Sequence, residues 1–80
     1  MHLHLIQKPH MSMTLSVNGQ EKIVKNELSL QQLLIEMELE TDRKGIALCV
    51  NLQVIPKEAW GETVLKDNDR IEIVIAAPGG

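Results

Sequence analysis

From residue 13 the chain alternates: Met13, Leu15 and Val17 are apolar, while Thr14 and Ser16 between them are polar. A period of two marks a strand with one buried face, because successive side chains of an extended backbone point to opposite sides. Asn18-Gly19 follows at once. Both residues accept the positive φ of a type I′ turn, so a second strand over 21–25 should return antiparallel to the first. The period then changes. Leu30, Leu33, Leu34 and Met37 fall at i, i+3, i+4 and i+7, one apolar stripe of a helix predicted over 30–39. Ser29 and Gln32 have the spacing of a capping box, in which each side chain satisfies a free backbone N–H of the other. Glu27 precedes the first turn, where negative charge is favoured. The polar run 40–45 ends the helix.

The next segment, IALCVN at 46–51, is a third strand whose unbroken apolar run implies burial on both faces or a position inside the sheet. Asn51-Leu52-Gln53 reads as a tight turn into a short strand at Val54-Ile55, which Pro56 stops because it lacks a ladder donor. Residues 57–61 are expected to form an irregular or 3₁₀ turn that folds Trp60 onto the edge of the core. After the turn cluster Lys66-Asp67-Asn68-Asp69, Ile71, Ile73 and Ile75 alternate with Arg70, Glu72 and Val74. The isoleucine face should meet the helix, leaving Val74 as an apolar residue towards solvent. This last strand runs straight into Ala76-Ala77-Pro78-Gly79-Gly80.

Composition narrows the function classes. Eighty residues make one domain, and a domain this small buries only about 60–65% of its unfolded surface. Trp60 is the only aromatic residue, so the core must be aliphatic. A formal charge of −3 argues against nucleic acid, which demands a basic stripe. No apolar run approaches the roughly 20 residues that span a bilayer, so no membrane association is expected. Cys49 is alone, which excludes an internal disulfide and fits a reducing, cytoplasmic setting; it reads as a small core hydrophobe. Residues 1–12 hold all three histidines and lack turn chemistry, and read as a disordered extension. The spacing His2-x-His4 could serve a metal on a strand, but terminal histidines are ordinarily bystanders, and no metal site is assigned. The body is thus 13–75, followed by a tail at 76–80.

That tail carries chemistry. Glycine has no Cβ, so Gly79-Gly80 can thread a channel too narrow for other residues and present a terminal carboxylate to a nucleotide phosphate. Five extended residues reach at most about 16–18 Å, and Pro78 limits the strand from continuing into them.

The order hairpin, helix, two further strands and diglycine resembles the ubiquitin-like β-grasp, an α+β fold with a mixed sheet of four to five strands and one helix packed across it. ALCVNLQVIPKEAW at 47–60, LKDNDRIEIV at 65–74 and the early VNG at 17–19 are similar to motifs of the ThiS family of thiamine-biosynthesis sulfur carriers. Together they cover 13–80. Asn68 stands where glycine is usual, though asparagine tolerates left-handed φ. Leu52 stands in a turn where glycine is common, and so exposes a leucine.

The resemblance implies a protein co-substrate rather than an enzyme. A ThiF-like E1 adenylyltransferase, supplying ATP and magnesium, would activate Gly80. A sulfur-donor relay would convert it to a thiocarboxylate, and a ThiG-like thiazole synthase would take the sulfur. No cofactor is expected on this chain itself. Val74 and Leu52, with Ala76, Ala77 and Pro78, are the expected partner contacts. The nearest rival is the small subunit of molybdopterin synthase, whose members tend towards a Pro-Pro pair and lack the region ending in Pro56 and Trp60. A protein-conjugating modifier and a plain interaction module are the other classes.

Overall fold

The computed structural model describes residues 11–39 and 45–76. The first strand, β1 (Ser12–Val17), begins one residue ahead of the predicted start and pairs antiparallel with β2 (Gln20–Lys25), with Val17 opposite Gln20. Two residues therefore make the turn. Asn18 and Gly19 take φ of 50° and 84°, the left-handed pair that a tight hairpin needs.

The helix α1 (Leu30–Glu36) starts where the sequence places it. The Ser29 hydroxyl accepts from the Gln32 N–H at 3.1 Å, and Gln32 Oε1 accepts from the Ser29 N–H at 2.9 Å. It ends three residues earlier than the apolar stripe predicts. Glu38 adopts φ 62°, its N–H donates to Ile35 O and the Leu39 N–H donates to Leu34 O, both at 2.9 Å. That is a Schellman stop, with Leu39 folded back onto the core. No glycine announces it.

After β3 (Ile46–Val50) and β4 (Gln53–Ile55), a 3₁₀ helix covers Lys57–Glu62 and buries Trp60, whose indole N–H donates to Ile55 O at 2.9 Å. The last strand, β5 (Arg70–Ile75), enters the middle of the sheet, whose order is β2-β1-β5-β3-β4. It runs parallel to β1 and antiparallel to β3. A mixed five-stranded sheet with one helix across it is the β-grasp arrangement.

The core lies between helix and sheet. Leu30, Leu33 and Leu34 from the helix meet Met13, Leu15, Leu48, Ile71 and Ile73 from the strands, all buried. Burial of a side chain of this size contributes about 1.5–3 kcal/mol, so an aliphatic core suffices without Phe or Tyr. Of the two expectations for β3, the interior position holds and the placing of Cys49 is revised. The strand does occupy an interior position between β5 and β4, but only Leu48 is fully buried. Cys49 is not a core residue: alternation turns it to the opposite face, where it is half-buried and a free thiol.

Candidate functional site

The site is the far end of β5, from which the tail departs, together with the sheet face turned away from the helix. The bonding of β5 alternates strictly. On the β1 side, Asp69 O accepts from Ser16 N–H at 3.0 Å and Ile71 O accepts from Asn18 N–H at 2.9 Å. On the β3 side, Val74 faces Ala47 in register, and the Ala76 N–H donates to Gly45 O at 2.8 Å. Gly45 has φ 86°, and a Cβ built there would stand 3.3 Å from the Ala76 Cβ. Glycine at 45 suits both the left-handed backbone angle and the close approach to the tail root, where a side chain would crowd Ala76.

Beyond Val17 the first strand turns away while β5 continues. Asn18 fills the gap with its side chain: Oδ1 accepts from the Ile73 N–H at 2.7 Å and Nδ2 donates to Ile73 O at 3.1 Å. Asn51, at the other tight turn, does comparable work. Its Oδ1 accepts from the Arg70 N–H and its Nδ2 donates to Asp69 Oδ1, each at 2.9 Å. Asparagine side chains from turns thus hold β5 at Arg70 and at Ile73.

Val74 is 60% exposed and lies on the outer face, as its place in the alternation requires. Leu52 is 75% exposed at the β3–β4 turn with φ 71°. The two do not meet. Val74 opposes Ala47 near the start of β3, whereas Leu52 lies beyond its other end. Between them the register sets Ala47, then Cys49 two residues on, then Val54 directly opposite Cys49 and 67% exposed. The result is a diagonal apolar strip from the tail root to the turn. Glu72, half-buried, opposes Cys49 on the β5 side. Ala47, Cys49 and Val54 were not legible as surface residues. The usable signal was the apolarity of both alternating sets in 46–50, which the core can absorb on one face only.

Ala76 is exposed. Ala77, Pro78, Gly79 and Gly80 lie outside the described residues, as do His2, His4 and His10. Among the described residues, no group of three or more His, Cys, Asp or Glu could hold a metal ion. No helix among them is long and apolar enough to cross a membrane.

Comparison with known proteins agrees with this geometry. The model of the ThiS family matches residues 13–80. The crystal structure of the thiamine biosynthesis protein ThiS from Geobacter metallireducens superposes with a TM-score of 0.72 at 28% identity, covering 85% of this chain and all of that one. The sulfur carrier protein ThiS of Escherichia coli is 33% identical over 43 residues, 54% of this chain and 65% of that protein. A thiazole synthase of Paramagnetospirillum magneticum is 32% identical over 68 residues, which are 85% of this chain but only 20% of the synthase. The chain spans a fifth of that relative and just under two thirds of the Escherichia coli carrier. With the family match running from the first strand through the diglycine, the chain belongs to the ThiS family.

Proposed function

We propose that this chain is a sulfur carrier for thiazole formation in thiamine biosynthesis, and that Gly80 is the atom-bearing end of it. The supporting observation is the family match through Gly79-Gly80, joined to a fold whose last strand, β5, ends at Ile75, five residues before Gly80. A carboxylate is a poor electrophile and must be activated. An oxygen of the Gly80 carboxylate attacks the α-phosphorus of ATP in a ThiF-like adenylyltransferase; the Pα–O bond to the β-phosphate breaks and pyrophosphate leaves. A sulfide sulfur then attacks the acyl carbon of the adenylate, the carbon–oxygen bond to AMP breaks, and a thiocarboxylate remains. No oxidant or reductant enters these two steps when sulfide is the donor.

The chain's own contribution is delivery. Its body docks through the strip Val74, Ala47, Cys49 and Val54, with Leu52 at the far end, while residues 76–80 reach the nucleotide. Exposed apolar residues gathered on one face are the ordinary mark of a partner surface. The likeness to part of a thiazole synthase, 32% identity over 68 residues, supports that enzyme as the acceptor.

Intact-mass spectrometry tests the reading. Incubation with MgATP, a ThiF-like partner and sulfide should exchange one oxygen for one sulfur, and removal of Gly80 or Gly79→Trp should abolish the change while the thermal melt stays put. A truncated chain that still gains sulfur would overturn it. Parallel assays with thiazole synthase and with the large molybdopterin synthase subunit decide the acceptor.

A further inference from the structure

We propose that Asn18 is a positioning residue for the tail, a role that rests on the carrier function above. Its own backbone belongs to the β1–β2 turn, yet its carboxamide acts 55 residues away on β5. A carboxamide carries one donor face and one acceptor face, as a peptide group does. Accepting from Ile73 N–H at 2.7 Å and donating to Ile73 O at 3.1 Å, it supplies the rung of the ladder that β1 would have supplied had it continued. The Asn18 N–H already makes the preceding rung, to Ile71 O at 2.9 Å.

β5 therefore has two late supports, one on each flank. Asn18 holds Ile73 from the β1 side, and Gly45 O holds the Ala76 N–H from the β3 side at 2.8 Å. Two residues, Val74 and Ile75, lie between the held positions. Together they hold the strand end through Ala76, from which the remaining chain continues. Without the carboxamide, β5 past Ile71 keeps only its β3 flank. Any residue that frays there must be ordered again when the carboxylate enters a nucleotide site, and ordering a residue carries an entropy cost. Asparagine is the fitting side chain. Aspartate lacks the donor, and glycine lacks both groups while keeping the left-handed turn.

Two variants separate this role from that of a mere turn residue. Asn18→Gly preserves the turn and removes both bonds; Asn18→Asp preserves the acceptor and removes the donor. In the folded protein, exchange of the Ala76 amide should quicken at least about fivefold in Asn18→Gly and also in Asn18→Asp, which sets a carboxylate oxygen against the Ile73 carbonyl, although neither substitution touches Ala76. In the sulfur-transfer assay kcat should fall about tenfold, the ordering cost of roughly one residue, while KM stays within about twofold because the outer strip is intact. Faster exchange at Ile73 alone, with Ala76 and kcat at their wild-type values, overturns the proposal. So does faster Ala76 exchange with unchanged kcat. If the wild-type chain gains no sulfur, the carrier reading has failed instead, and Ala76 exchange alone then decides whether Asn18 supports the strand end.

Discussion

The two faces of the sheet use the same residue types for opposite ends. Towards the helix, Leu48, Ile71 and Ile73 are sealed beneath Leu30, Leu33 and Leu34. On the other side, Val54, Val74 and Leu52 stand largely in water beside Ala47 and Cys49. Adjacent residues of one strand, Leu48 and Cys49, thus belong to different economies of the molecule. The inner set holds the domain together. The outer set contributes little to folding, because among the described residues little covers Val54, Val74 and Leu52, and exposed apolar residues gathered in this way suit contact with another protein.

The largest effect should come from the inner face. Leu48→Ala removes a fully buried side chain at the point where β3, β5 and the helix converge, and should cost about 2–5 kcal/mol in urea unfolding. Val54→Ala, six residues on but turned outward, should change stability by no more than about 0.5 kcal/mol. Equal costs for the two would show that the outer strip packs on something within the chain, and the division between faces would fail.

Next in size is an effect on partner affinity. Val74→Glu places a charge beside Ala47 at the tail root, where a docking protein must remove it from water. Affinity for the adenylyltransferase should fall by about tenfold or more, near the size of a single interface anchor, with little change in the thermal melt. Titration by calorimetry or fluorescence anisotropy reads this directly. Binding at wild-type strength would remove Val74 from the interface, and would leave the strip as unpartnered surface.

How much of this the sequence disclosed depends on the range of the interactions involved. The β1–β2 turn and the start of the helix were legible because Asn18-Gly19 and Ser29 with Gln32 act within three residues. The helix end was not, since its stop uses Glu38 in a left-handed conformation that glutamate does not advertise. Cys49 was misplaced because an apolar run has no inherent inside, and only the pairing with Val54 and Glu72 fixes which face it takes. The bond from Asn18 to Ile73 spans 55 residues, beyond any local pattern. The diglycine was the plainest chemical signal, yet it lies outside the described residues, and its use rests on the family and on assay.

The two tight turns allow the finest separation of folding from function. Each joins paired strands with two residues at positive φ, and each begins with asparagine: Asn18-Gly19 at 50° and 84°, Asn51-Leu52 at 52° and 71°. The second residue differs. A side chain in the left-handed region costs about 1–2 kcal/mol, which glycine at 19 escapes and leucine at 52 bears. Leu52 also leaves most of its surface in water, so neither conformation nor burial within the domain favours it. Leu52→Gly relieves the strain but adds about 0.4–1 kcal/mol of unfolded-chain entropy, for a net stabilisation of about 0.5 kcal/mol. The same variant should bind its partner more weakly, because it deletes the end of the apolar strip. A stabilised variant with weaker binding would mark Leu52 as a residue kept at the expense of the fold. A variant that loses stability would mean that the leucine packs within the turn and serves the hairpin itself.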